Sequence, residues 1–405
     1  MHTYIARQPI FQRDKKIYGY ELLFRDGIAN AFPGIDGNEA TSRVLLGSFM
    51  GGGIELFTGD SLAFINFTRE LIVNNVAAGF SPDQVVIEVL EDVEPDNAVI
   101  AASRRIREQG FSLALDDFFY KPEFESLLSL ATIIKIDIQQ TPLHTITDLV
   151  SELAHRDHLT LLAEKVETYD EFQQAIAMGF SLFQGYFFSK PEVLKQRDIL
   201  PSKFSYLRFV MEVNKQDVDF GKLETVITQD VAMSFKLFRY INSPYFRRVC
   251  EIHSVRHALT ILGERETRNF ISVIALSNLA DEKPNELIRT AIFRARFCEL
   301  LGRHAGSMGI KPETLFLVGL FSVIDAILDN TMENLMAQLP FSGEIKSALV
   351  ERAGPLGAYL NITIGCEAGD WFTCLPPLPG LKIDESKIPD DYLNALQFAD
   401  AYMGK

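Results

Sequence analysis

Along the first half of the chain, short runs rich in Val, Ile, Leu and Phe alternate with longer stretches of helical periodicity. The apolar runs at residues 5–11, 17–23, 62–67, 85–89, 113–115, 133–136, 159–163 and 182–183 predict strands. Between them, residues 39–50, 97–109 and 170–178 repeat apolar positions at helical spacing. Gln12, Arg13, Asp14, Lys15 and Lys16 join the first two runs as a hairpin turn. Elsewhere β and α segments alternate, which calls for a parallel sheet. So many strands in roughly 190 residues predict an α/β barrel closed like a TIM barrel, a (β/α)8 fold with an antiparallel start.

After Pro191 the pattern changes to helical spacing with almost no strand signal. Residues 204–214, 221–228, 231–240, 255–262, 266–276, 286–301, 312–327, 332–338 and 342–352 read as helices, and 390–403 could close the set. The boundary falls near residues 190–202, where Ser-Lys-Pro191 and Leu-Pro201-Ser flank a polar stretch. The expected organisation is an α/β barrel over residues 1–195 and an all-α domain over 200–400. No internal repeat or low-complexity tract interrupts either half.

Composition narrows the functional classes. With 405 residues, 47% hydrophobic and 23% charged, the chain has the balance of a soluble globular protein. Its net charge of −15 would repel a long polyanion, so duplex nucleic acid is not an expected partner. Arg104, Arg105 and Arg107 form the densest basic run and read as a solvated helix face. Cys250, Cys298, Cys366 and Cys374 contain no CxxC pair, so they read as free thiols rather than a zinc or redox site. Residues 2–11 mix polar and apolar side chains, so no signal peptide is expected. No apolar run approaches the roughly 18 residues of a membrane span. The expected location is the cytoplasm, with no membrane partner.

The chemistry lies at the strand ends. Glu21 sits near the end of the second strand; Asn66 closes Leu-Ala-Phe-Ile-Asn; Glu88 closes Val-Val-Ile-Glu. Asp116 and Asp117 close Leu-Ala-Leu-Asp-Asp, Lys135 lies in Ile-Ile-Lys-Ile-Asp, Glu164 closes Leu-Leu-Ala-Glu, and Gln184 follows Leu-Phe. In a parallel barrel these ends share the rim where active sites form. Gathering so many carboxylates is costly unless cations compensate. Carboxylate and amide oxygens are hard ligands, suited to Mg²⁺ or Mn²⁺ rather than zinc. Any single strand-end acid could be a helix cap or turn former; it is their joint occurrence that argues for a site.

These motifs resemble the EAL-type phosphodiesterases. Glu21-Leu-Leu stands where that family carries Glu-Ala-Leu, and Arg25 follows at the family's spacing. Asn66, Glu88-Val-Leu-Glu91, Asp116-Asp117-Phe118, Lys135-Ile-Asp137, Glu164-Lys-Val-Glu167-Thr168 and Gln184-Gly-Tyr186 match the later motifs in order, over about residues 1–195. The resemblance implies hydrolysis of cyclic di-GMP to pGpG with two divalent metals. It implies Glu21, Asn66, Glu88 and Asp116 on one metal, with Asp116 and Asp117 on the second. Lys135 would hold water or stabilise phosphoryl charge, Glu164 would be the general base, and Gln184 would place water or a metal. Arg25 would pair with a ligand phosphate, Glu91 would brace the loop after Asp117, and Glu167 would support the site from outside. The chain departs from the family in that loop, which reads Phe119-Tyr120-Lys121-Pro122-Glu123, and at Leu90, where Thr is usual.

The second half resembles HDOD domains, helical relatives of HD metal-dependent phosphohydrolases. The resemblance rests on residues 223–230, on residues 233–243 ending in Asn242-Ser243, and on residues 252–263 ending in Leu-Gly. It implies that Arg294 replaces the first metal-ligand His and that Ser322-Val323 replaces the His-Asp pair. His253, His257 and His304 read as surface or core-edge residues, and Asn242-Ser243-Pro244 as a helix end and turn. The expectation is a protein-interaction or dimerisation module, with motility and biofilm control as the family's implied outputs. Two further readings compete with a working phosphodiesterase: a cyclic-di-GMP receptor without turnover, and an adaptor whose barrel is vestigial.

Overall fold

Alternation of inward and outward side chains closes the N-terminal half on itself. The structure, a computed structural model, describes residues 3–26, 53–190, 201–215, 220–246, 252, 254–280, 283–304, 310–370 and 383–404. Its strands are β1 (Thr3–Gln12), β2 (Ile17–Asp26), β3 (Leu62–Phe67), β4 (Val85–Val89), β5 (Ser112–Leu115), β6 (Ile133–Asp137), β7 (Thr160–Glu164) and β8 (Leu182–Gln184). They form a closed barrel in sequence order. β1 runs antiparallel to both β2 and β8, and every other neighbouring pair is parallel. The turn between β1 and β2 is closed by Gln12 N–H donating to Lys16 O at 2.8 Å. Lys15 takes the left-handed conformation there, with φ 61°.

The parallel strands are linked by helices α1 (Glu55–Thr58), α2 (Arg69–Val73), α3 (Asn97–Glu108), α4 (Glu125–Leu128), α5 (Thr147–Ala154) and α6 (Tyr169–Met178). Two of these starts are written in the sequence. Asp96 caps α3 by accepting from Val99 N–H at 2.9 Å, and Thr168 with Glu171 forms a capping box at α6. The helix expected at 39–50 lies outside the described residues.

One apolar layer fills the barrel interior: Ile10, Phe64, Val86, Ala114, Ile133, Leu162 and Leu182, all buried. Burying each large side chain contributes about 1.5–3 kcal/mol. Gly19 on β2 leaves room for this layer, since a Cβ there would stand 2.9 Å from the Phe64 ring. Side chains two residues apart on a strand share a face. The layer above Phe64, Val86, Ala114, Ile133, Leu162 and Leu182 is therefore Asn66, Glu88, Asp116, Lys135, Glu164 and Gln184. The strand pattern that builds the core thus also delivers the polar set to one rim.

Gly185 is required where β8 leaves the barrel. Its φ is 141°, and a Cβ would stand 2.2 Å from Val166 O. The close approach lets Val166 N–H donate to Gln184 O at 2.9 Å, which ties the end of β8 to the loop after β7.

The C-terminal part is helical: α7 (Pro201–Val213), α8 (Phe220–Gln229), α9 (Val231–Ile241), α10 (Val255–Leu279), α11 (Asn285–His304), α12 (Pro312–Phe321), α13 (Ile324–Leu328), α14 (Met332–Gln338), α15 (Gly343–Val350), α16 (Gly354–Glu367) and α17 (Ile388–Met403). α10 breaks at Gly263 (φ 75°, ψ 172°), which separates the two helices expected at 255–262 and 266–276. The single helix expected over 312–327 is instead α12 and α13, interrupted at Ser322 and Val323. α16 was not expected from the sequence. Its start is rich in glycine and proline, and its apolar residues surround the helix rather than forming a stripe. Contacts divide the chain into Met1–Lys190 with Cys366–Thr373, and Pro191–Gly365 with Cys374–Lys405.

Candidate active site

The rim residues converge on one ammonium. Lys135 Nζ lies 2.7 Å from Asp116 Oδ1, 2.8 Å from Glu88 Oε1, 2.9 Å from Glu164 Oε1 and 3.5 Å from Glu21 Oε2. Lys135 and Glu88 are fully buried, and Glu21, Glu164 and Gln184 are buried beside them. Glu21 also accepts from Gln184 Nε2 at 2.7 Å and from Asn66 Nδ2 at 3.2 Å. The antiparallel strand adds Gln8, which pairs in register with Glu21 and accepts from Gln184 Nε2 at 2.9 Å. Gln8 lies outside the strand-end motifs. Its signal was present, since on a strand running the opposite way the rim residue precedes the core residue Ile10 by two.

One lysine does not balance this many acids. Burial and the neighbouring charges Glu21 and Asp116 push the Glu88 carboxyl well above its usual range despite Lys135. Burial, opposed by Lys135 and reinforced by Asp116 and Glu21, pushes Glu164 up to about 8. Glu21 is the exception. Burial raises it, but Lys135 and the amide donors Gln184 and Asn66 more than offset that and hold it below the usual value. For Lys135, burial disfavours the charge, but the surrounding carboxylates dominate and raise its pKa well above the usual value.

Asp117 turns the chain at the rim with φ 40°, a conformation unfavourable for a residue with a side chain. Burial and the adjacent Asp116 raise its carboxyl. Phe118 N–H donates to Lys135 O at 3.0 Å, which fixes where the following loop begins. Beside the rim, Asp137 accepts from Lys165 Nζ and from the backbone N–H groups of Gln139 and Gln140. This pair fixes the loop after β7, a role the sequence reading did not assign.

Two expected residues, Glu91 and Glu167, stand apart from this cluster, and a third, Arg25, has no described side chain. Arg25 lies on β2 opposite Tyr4, with its side chain outside the described set. Glu91 is exposed in the turn after β4. Glu167 is exposed, and its carboxylate accepts from Lys190 Nζ at 2.9 Å.

The donor set suits a hard cation. Glu88 Oε2, Asn66 Oδ1 and Gln184 Oε1 are buried without a hydrogen bond among the described residues. The raised carboxyls of Glu88 and Glu164 register the same shortage of positive charge. Among the described residues, no group of three or more His, Cys, Asp or Glu side chains stands at ligand spacing; the acids gather on Lys135 instead.

In the helical half, Arg294 Nη1 on α11 donates to Ser322 Oγ at the end of α12, 3.4 Å away, and both residues are buried. A guanidinium and a hydroxyl thus face each other where the resemblance placed replaced metal ligands. Gly319 allows the close crossing, since a Cβ there would meet Arg294 O at 2.3 Å. His304 is exposed at the surface, with Nε2 3.2 Å from Asp391 Oδ2, and His253 lies outside the described residues. Cys298 and Cys366 are buried, while Cys250 and Cys374 lie outside the described residues.

An EAL domain model matches residues 55–191, and an HDOD domain model matches residues 200–344. The cyclic di-GMP phosphodiesterase CdgJ of Vibrio cholerae serotype O1 is 40% identical over 371 residues, covering 91% of this chain and 86% of its own. This chain belongs to the EAL–HDOD family. YuxH of Bacillus subtilis is 33% identical over 411 residues, covering 100% of this EAL–HDOD chain and 99% of its own. The barrel half is also similar to BlrP1 of Klebsiella pneumoniae in a calcium and cyclic-di-GMP complex. That likeness has 27% identity and a TM-score of 0.39, covering 47% of this chain and 56% of that one. No helix among the described residues is long and apolar enough to cross a membrane.

Proposed function

We propose that the EAL barrel of this protein hydrolyses cyclic di-GMP to linear pGpG, and that the HDOD half binds a protein partner or regulates the barrel. The observation that carries the reading is the convergence of Glu21, Glu88, Asp116 and Glu164 on Lys135 at one barrel rim. Family membership supports the same reading, since its relative CdgJ is a cyclic di-GMP phosphodiesterase.

The reaction adds water to one phosphorus and breaks one P–O bond of the cyclic dinucleotide; the leaving oxygen takes a proton. Glu21, Asn66, Glu88, Asp116 and Asp117 would hold two Mg²⁺ or Mn²⁺ ions, which supply Lewis-acid polarisation of water and phosphoryl oxygen when bound. Glu164 accepts the proton of the attacking water, a role suited to a carboxyl whose proton affinity burial has raised. Lys135 orients these carboxylates and stabilises negative charge growing on the phosphoryl oxygens. Gln184 holds Glu21 in place by the 2.7 Å hydrogen bond, and Arg25 pairs with a ligand phosphate. The site lies in the barrel half, and the cytoplasm is the proposed location. A homodimer is a further proposal.

Calorimetry with cyclic di-GMP, run beside chromatography of the products, tests this reading. Binding with Mg²⁺- or Mn²⁺-dependent pGpG formation is expected. Binding without pGpG would support the receptor reading, and no binding would reject both.

A further inference from the structure

We propose that the HDOD half captures a partner protein through a pocket at the C-terminal end of α9, which takes a peptide with a bulky apolar side chain beside a carboxylate. The proposal rests on the reading of this half as an interaction module. The pocket has a volume of about 450 Å³ and is lined by Phe235, Phe238, Arg239, Asn242, Ser243 and Pro244. The sequence suggested only a helix end for Asn242-Ser243-Pro244, and Asn242 does cap α9. The structure adds a cavity around that cap.

Three features set the chemistry of the occupant. First, the apolar lining continues along one face of the helix. Val231, Phe235 and Phe238 recur at helical spacing, and Val231 and Phe235 are 83% and 66% exposed. A contiguous exposed apolar face beside a cavity marks an interaction surface. A small molecule filling the cavity would leave Val231 uncovered, whereas a peptide would cover both.

Second, Ser243 is about nine-tenths buried, and its Oγ makes no hydrogen bond among the described residues. A buried hydroxyl left unpaired is unfavourable, and one that lines a cavity is poised to bond a ligand. Third, Arg239 is the one charged residue among the described residues of the lining, within a chain of net charge −15. It donates to Tyr402 O at 3.3 Å, which anchors its guanidinium and leaves other N–H groups to meet a carboxylate. The aromatic wall therefore takes an apolar side chain, while Arg239, Asn242 and Ser243 take an acidic group next to it.

Selection of a random peptide library on the full-length protein tests the proposal. Enriched peptides are expected to place Phe, Leu or Trp next to Asp or Glu. Their affinity is expected to fall on the order of tenfold or more for Phe235→Ala and for Arg239→Glu, in line with truncation of an anchor residue. Phe235 is exposed, so Phe235→Ala should keep the wild-type far-ultraviolet circular dichroism. Both variants should retain pGpG formation, so failure of the pocket and failure of the barrel reading are read separately. Enriched peptides that bind both variants like wild type, or no enrichment at all, would overturn the proposal. Self-association that Phe235→Ala abolishes in sedimentation would assign the face to a second copy and overturn it as well.

Discussion

Lys135 Nζ lies 2.8 Å from Glu88 Oε1, and neither side chain exposes any surface. The pair sits directly above the apolar layer that fills the barrel, at Val86 and Ile133. Removing one partner of a buried ion pair leaves an uncompensated charge, at a cost of about 3–5 kcal/mol. Glu88 can escape that cost by taking up a proton, which burial already favours. Lys135→Met is therefore expected to lower the thermal midpoint strongly at pH 8 and much less at pH 5. Calorimetric scans at the two pH values check this, and equal losses at both would contradict it.

Glu164 gives a second pH test, on metal-stripped protein. Its carboxyl is harder to ionise in the folded chain, at about 8, than at the ordinary value of 4.5, because burial outweighs Lys135. A raised carboxyl contributes stability that is complete below the unfolded value and is lost as pH rises through the folded one. Wild-type protein with chelator should thus lose more stability between pH 5 and 8 than Glu164→Gln does. Parallel stability profiles for the two proteins would rule this account out. In saturating Mg²⁺, the Glu164→Gln variant is expected to lose about 10²–10⁴-fold in kcat, the range of a general base.

Gln8 is the rim residue that motif reading overlooks. It shares Gln184 Nε2 with Glu21, and so restrains the amide that holds Glu21. One hydrogen bond is worth about 1 kcal/mol, or roughly fivefold. Gln8→Ala should cut kcat/KM by about that factor without changing the fold. Steady-state kinetics decides it; an unchanged kcat/KM would mean that Gln184 needs no such restraint.

Much of this barrel was legible because one rule governs both its core and its site. Each strand run carries a core residue and, two positions on, a rim residue: Val86 and Glu88, Leu162 and Glu164, Leu182 and Gln184. The polar residue at the end of each apolar run therefore located the site along with the strands. Gln8 escaped because β1 runs the other way, so its rim residue comes first. Asp137 and Lys165 escaped because their pairing depends on how the loop after β7 folds over the end of β6. In the helical half, α16 was illegible because a helix apolar all round has no stripe to detect. The break at Ser322 and Val323 was hidden because both residues fit a helical pattern.

Gly185 offers a stability test independent of chemistry. Its φ of 141° and the 2.2 Å approach of Val166 O leave no place for a side chain. Gly185→Ala should destabilise the barrel by about 3 kcal/mol or more, from backbone strain together with the clash. Chemical unfolding followed by circular dichroism measures it. A loss under about 1 kcal/mol would mean the approach relaxes, since a glycine replacement without strain does not destabilise.

The most direct test is pGpG formation from cyclic di-GMP by the full-length protein, with and without Mg²⁺ or Mn²⁺, compared with Lys135→Ala and Glu21→Ala. The account predicts conversion that requires a divalent ion and disappears in both variants while cyclic di-GMP is supplied in excess. Full conversion by either variant, or no conversion by folded, metal-loaded wild-type protein, would contradict it.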